Sequence, residues 1–431
     1  MLNRIKSILA NKTIMIRIAI TLGIIAIFRA ASFIRIPLFD LGPLADGFGT
    51  GFLGILNSFS GQALSRFSIM SLGIAPYITA SIAVQLMQSL IPRLKEWQEE
   101  GEAGKAKTAR LTKYLSLFLA FAQAILLIFG VGTQGSQLVN GVDPNFFVFM
   151  YMALVVTAGS ALTIFLADVI TAKGIGNGTS ILISVGIMTS IPIMLATLND
   201  RYLVPGGAGN IAIYILLIVL YLLMLLAVIY MQIATRKIPI QYANRQGKSD
   251  SNIPVKLNSP GVLPVIFAST ILSIPLTVAG FFGAEPGAGG LNSVGDWFNL
   301  FFNHSEPIGF IIYILLIIVF SFFYTFMTIN PHKIADNLSK SNAFIPGVRP
   351  GEDTKNFIAR LVFKIAVLGT TYLVLLSAFP IVIAWIFNFT AAEAATIVIG
   401  GTGLLIIVGV AVETTSQLET QAAQDSYTGL F

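Results

Sequence analysis

The sequence predicts an all-α integral membrane protein of ten transmembrane helices, built as two inverted five-helix halves. Three observations lead there: the composition, the placement of lysine and arginine, and two short phrases that each occur twice. Of 431 residues, 55% are hydrophobic and 11% charged. A soluble globular chain carries about a quarter charged residues, so this chain lies far outside that class. The apolar runs are continuous rather than alternating, which selects helices over a β-barrel.

Crossing a bilayer takes about 20 apolar residues at 1.5 Å per residue. Runs of that kind predict spans at about 14–34, 68–91, 114–131, 146–167, 179–197, 211–234, 261–283, 308–329, 361–387 and 397–415. Pro380 interrupts the ninth, and the tenth runs on into a polar tail. The first has basic residues before it, as a signal peptide would. It continues past Arg29 without an A-x-A-like cleavage site and is read as a retained span.

Lysine and arginine set the orientation. With the N-terminus inside, the outer face holds Arg29, Arg35, Arg66 and Arg201, which leaves 22 of the 26 basic residues at the inner face. Both termini are therefore expected in the cytoplasm. The inner loops at about 235–260 and 330–360 are long, basic and punctuated by proline. They carry Arg236, Lys237, Lys248 and Arg349 and read as docking surfaces. No loop has room for a soluble catalytic domain, so no enzyme is expected. With no cysteine and only His304 and His332, neither a metal site nor a cofactor is expected.

The repeats organise the spans. GIAPYITAS at 73–81 and GVLPVIFAS at 261–269 share Gly, Pro, Ile, Ala and Ser in register. They open spans two and seven. GTSILISVGI at 178–187 and GTGLLIIVGV at 401–410 share six residues of ten, in spans five and ten. The chain is thus two halves, 1–200 and 201–431. Five is odd, so the second half crosses the membrane upside down. Such inverted repeats place a pathway between the halves.

The interior of the spans carries almost no ionisable groups. The duplicated segments instead share isoleucine: Ile78 aligns with Ile266, and Ile183 with Ile406. Ile82 and Ile187 lie one turn from the first member of each pair. Converging branched side chains make either ordinary core or a dry constriction that blocks ions. GIGNGTS at 174–180 lacks the lysine of a phosphate loop and reads as a helix start. The glycine-rich stretch 51–68 is too short to span. It is either an external cap or a piece re-entering the pathway. A secondary transporter of a small solute is the alternative function, weakened by the missing mid-membrane ionisable site.

Four segments carry a specific resemblance: FSGQALSRFSIMSLGIAPYITASIAVQL at 59–86, KGIGNGTSILI at 173–183, ADNLSKSNAFIPGVRPGEDT at 335–354 and GGTGLLIIVGV at 400–410. Over essentially its whole length the chain resembles the SecY family of bacterial protein-conducting channels. The resemblance implies a clamshell around a central pore, hinged at about 198–210. It implies a pore ring of Ile78, Ile82, Ile183, Ile187, Ile266 and Ile406. It implies a lateral gate between spans two and seven, with Gly73, Pro76, Gln85, Gly261, Pro264 and Thr270. A plug would be a short helix within about 53–67, with Leu53, Ile55, Leu56, Phe59, Leu64 and Arg66. Implied partners are SecE, SecG, the SecA motor, the ribosome, nascent chains with signal sequences, and lipid. Implied too are passage of unfolded secretory chains across the plasma membrane and sideways release of transmembrane segments. The tail after Gln417 has no Lys or Arg, whereas many relatives end in basic residues.

Overall fold

A computed structural model describes residues 12–37, 57–132, 145–204, 206–242, 251–259, 261–281, 294–303, 306–389 and 391–428. The first half contains α1 (Lys12–Ala31), α2 (Ala75–Leu90), α3 (Pro92–Glu99), α4 (Glu102–Gly132), α5 (Phe146–Lys173), α6 (Gly178–Met188) and α7 (Ser190–Leu198). A π-helical turn at Asn199–Leu203 ends it. The second half contains α8 (Ala208–Ile233), α9 (Leu263–Phe281), α10 (Val294–Phe302), α11 (Pro307–Thr328), α12 (Pro331–Lys340), α13 (Glu352–Ile386) and α14 (Ala391–Thr428). The ten passages expected from the sequence are α1, α2, α4, α5, α6 with α7, α8, α9, α11, α13 and α14. Among the described residues, seven helical stretches are long and apolar enough to cross a membrane.

Span two departs from its expected bounds. Residues 68–74 are turns, and α2 starts only at Ala75, with Pro76 in its first turn. Gly73 sits at φ +53°, which ends any upstream helix, and proline suits a first turn because its missing N–H has no partner there anyway. The apolarity of 68–74 serves burial instead. Met70, Leu72 and Ile74 are all fully enclosed. Other helices outrun their apolar cores. α4 starts at Glu102, and α13 starts at Glu352. Both continue as polar helix beyond the membrane-length run. Pro380 lies inside α13 without ending it.

The two long basic loops are not separate coils. β1 (Thr235–Tyr242) and β2 (Ser251–Lys256) form an antiparallel hairpin, and β3 (Ala343–Phe344) pairs with the other edge of β1. In β1, Ile238 and Ile240 are buried while Lys237, Pro239 and Gln241 between and beside them are exposed, as is Arg236 at the start of the strand. That period of two is the strand signature. The buried isoleucines meet Leu338 of α12, Ile345, and Ile358, Val362 and Ile365 of α13. Both loops and the start of α13 thus share one small apolar core at the basic end of the molecule.

Candidate functional site

The site begins with the segment 57–68, of which only Asn57–Phe59 is helical. A longer helix is excluded over its described part because Gly61, Gln62 and Phe67 all take left-handed φ. Asn57 closes the loop: its side chain donates to Gln62 Oε1 (2.9 Å) and accepts from Ser65 N–H (2.9 Å). Phe59, Ser60, Ala63, Leu64 and Phe67 are buried. The described part of the segment is therefore packed against the rest of the chain and is not an exposed cap. Arg29 of α1 donates to the Gly61 carbonyl (2.8 Å), and the Arg66 guanidinium covers the Phe33 ring at 4.3 Å. A Cβ on Gly186 of α6 would stand 2.5 Å from the Phe59 carbonyl oxygen, so only glycine admits this backbone approach. Leu53, Ile55 and Leu56 lie outside the described residues.

Directly against this segment, the four aligned isoleucines and the two one turn from them join one buried cluster. Ile78 and Ile82 come from α2, Ile183 and Ile187 from α6, Ile266 from α9 and Ile406 from α14. Phe59 and Ala63 belong to the same cluster. None of the six is more than 8% exposed. All six isoleucine side chains are apolar, so an ion among them would lose its hydration without compensation. Two helices from each half supply it. The duplicated phrases therefore converge in space, although they are far apart in the chain.

Four of the six residues expected at the gate, Gly73 with Gly261 and Pro76 with Pro264, occupy matching positions in the two copies. Gly73 N–H donates to Met70 O (2.9 Å), and Gly261 N–H donates to Asn258 O (3.3 Å). Gly261 has φ +65° against +53° for Gly73. Pro264, like Pro76, lies in the first turn of its helix, here α9. Thr270 Oγ1 donates to the Ile266 carbonyl (2.8 Å), which keeps its hydroxyl on its own helix. Gln85 reaches across the halves: Tyr324 Oη of α11 donates to Gln85 Oε1 (2.8 Å). Tyr324 in turn meets Phe267 edge-on, with ring centroids 4.9 Å apart. Tyr324, Phe267 and Phe320 were not picked out from the sequence. The aromatic run FSFFYTF at 320–326 was the available signal, but it reads equally well as lipid-facing bulk.

On the basic end, Arg236, Lys237 and Arg349 are exposed. Lys248 lies outside the described residues. Arg349 stands in a turn between Gly347 (φ +82°) and Gly351 (φ +97°), and Thr354 Oγ1 of α13 donates to its carbonyl (2.8 Å). Among the described residues its guanidinium has no ion-pair partner. GIGNGTS is a helix start, as expected: the Asn177 side chain accepts from Thr179 N–H at 3.1 Å and caps α6.

Comparison with known proteins gives a consistent picture. The SecY family model matches residues 68–415. The protein translocase subunit SecY of Halalkalibacterium halodurans is 40% identical over 428 residues, covering 96% of each chain. That of Bacillus subtilis is 38% identical over 427 residues, covering 96% of this chain and 95% of its own. A solved protein-conducting channel shares the fold with TM-score 0.66 at 19% identity, over 95% of this chain and 92% of that one. The Sec61 channel of a canine ribosome–channel complex from the endoplasmic reticulum does so with TM-score 0.64 at 17% identity, over the same shares.

Proposed function

Because the chain belongs to the SecY family, we infer that it is the channel-forming subunit of a protein translocase. It is a multi-pass membrane protein that conducts polypeptides. The observation that carries the mechanism is the single buried cluster of six isoleucines from both halves, backed by the segment 57–68. An extended polypeptide presents every kind of side chain, so a pore for it gains nothing from specific polar contacts. A ring of isoleucines seals by excluding water and yields by rotating side chains. In this reading Ile78, Ile82, Ile183, Ile187, Ile266 and Ile406 form the ring, and the segment 57–67 is the described part of the plug. Displacing that segment opens the path.

Sideways release follows from the same physics. Spans two and seven supply the gate, with Gly73, Pro76 and Gln85 on the one side and Gly261, Pro264 and Thr270 on the other. An apolar segment of about 20 residues favours lipid once these helices part. The basic end, with Arg236, Lys237, Lys248 and Arg349, is the cytoplasmic docking surface for SecA or the ribosome. Its charge and the fusion of its two loops into one body support that assignment. SecE and SecG complete the complex, and the location is the bacterial plasma membrane with both termini inside. Energy comes from the docked partner. Small-solute transport is not favoured, since the relatives are named as translocase subunits.

The test places a photocrosslinker at Ile78 or Ile266 in channels holding a stalled, extended secretory chain. Adducts at both positions, and none from lipid-facing Leu226 of α8, are expected. Adducts equally abundant from Leu226, or absent from both ring positions, overturn the ring.

A further inference from the structure

The side opposite the gate holds a side chain that the mechanism has not used. Arg201 lies in the π-helical turn that ends the fifth passage. Its Nη1 pairs with the Glu393 carboxylate in the first turn of α14. Its Nη2 donates to the Asn388 carbonyl at 2.9 Å and to the Phe387 carbonyl at 3.4 Å. Those two carbonyls belong to the turn that leaves the C-terminus of α13, where Asn388 takes a φ of +48°. The guanidinium also covers the Phe389 ring at 4.7 Å, and Phe389 meets Tyr202 edge-on at 6.1 Å. Arg201 and Glu393 are each about a quarter exposed, at 26% and 23%.

Each contact suits the charge it receives. A cation at the end of α13 meets the negative end of that helix dipole, and a carboxylate at the start of α14 meets a positive one. One planar fork therefore joins the end of span five, the end of span nine and the start of span ten. Lysine, a point charge, holds only part of that set. Around it lies an apolar shell of Met194, Leu198, Tyr202, Ile383 and Ile397, drawn from the same three passages. The shell limits competition from water.

We propose that Arg201, acting through Glu393 and the α13–α14 turn, is a positioning residue that fixes the spacing of the two halves on the hinge side. This rests on the reading of the molecule as two halves that part on the gate side. With the rivet intact, opening is a rotation about this point. With it removed, the halves also slide, and the resting position of α2 against α9 is no longer set.

The native chain has no cysteine. Spin labels on Met87→Cys of α2 and Leu263→Cys of α9 therefore report the gate distance alone, in the full-length chain reconstituted in vesicles. Arg201→Gln and Glu393→Gln are each expected to raise the population at longer distance roughly ten-fold, the loss of one charged hydrogen-bonded pair. The double variant is expected to match the single ones, because both remove the same pair. Arg201→Lys falls between. Glu393→Gln is isosteric, so it keeps the test valid if Arg201→Gln fails to fold. Unchanged distances in Glu393→Gln overturn the proposal, as does a double variant whose effects simply add. Polypeptide transport by the parent channel is measured in parallel. Its absence counts against the channel reading, while the distances still decide the rivet.

Discussion

The starts of α2 and α9 are the same turn built twice, and they differ in what lies against them. The hydrogen bonds agree atom for atom at a fixed offset. Tyr77 and Ile78 N–H both reach Ile74 O, and Val265 and Ile266 N–H both reach Val262 O. Around Gly73, however, a Cβ would stand 3.0 Å from Ser60 Cα, whereas around Gly261 nothing among the described residues lies within 4 Å. The second duplicated pair behaves alike. Gly186 is pressed against the Phe59 carbonyl, while the nearest atom to a Cβ on Gly409 is Gln232 Nε2 at an ordinary 3.5 Å. In both pairs the first-half copy is closed by the segment 57–68, and the second-half copy has no such cover. The repeat doubled the helices of the site but not the element that fills it.

Five substitutions break or sharpen this asymmetry. Gly73→Ala faces a left-handed backbone and a tight neighbour at once, and is expected to lose about 3 kcal/mol. Gly261→Ala faces the backbone alone and is expected to lose about 1 kcal/mol. Urea unfolding of the detergent-solubilised chain compares them, and equal losses would erase the distinction between covered and open copies.

Next, Gly186→Ala is expected to cost about 2 kcal/mol by pushing the segment 57–61 outward. Resting ion conductance should rise with it. Gly409→Ala is expected to stabilise by up to about 1 kcal/mol, since alanine favours a helix where space allows. The pair thus differs in sign. Conductance of single channels in planar bilayers reads the first effect, and a tight Gly186→Ala channel would detach the segment from the seal.

The smallest change makes one copy resemble the other. The Met70 carbonyl accepts the hydrogen bond that closes the first turn, and the Asn258 carbonyl accepts that of the second. Among the described residues, neither polar atom of the buried Asn258 amide has a partner. Replacing an unpaired buried amide by an apolar side chain with the same number of heavy atoms relieves its desolvation, so Asn258→Leu is expected to stabilise by about 1 kcal/mol. A destabilised variant would reveal that this amide is held by something beyond the folded chain itself.

What the sequence made legible was length and repetition. Apolar runs located the ten passages because a bilayer dictates their length, and the aligned isoleucines were findable because the copies are nearly in register. The start of α2 was misplaced because Ser68–Ile74 is as apolar as a span, and hydropathy does not distinguish lipid from protein interior as a burial site. The strands were missed although RKIPIQY alternates at Ile238 and Ile240, because Pro239 and the basic residues read as loop. α12 escaped for a related reason: only Ala335 and Leu338 on its inner face are apolar and buried. The Arg201–Glu393 pair had no local signature at all. Its members are 192 residues apart, and each looks like an ordinary surface charge.

α13 is a rod with both ends fastened. It runs 35 residues from Glu352 to Ile386, about 52 Å at 1.5 Å per residue. At its start, Thr354 grips the turn that bears Arg349. Past its end, the carbonyls of Phe387 and Asn388 are gripped by Arg201. Mechanically this is a lever with a handle at the basic end and its far end held by Arg201. A tilt of about 5° about the pinned end would carry the handle about 4 to 5 Å, given the rise per residue of an α-helix. On the proposed docking reading, a partner pressing on the exposed turn would work with a long arm.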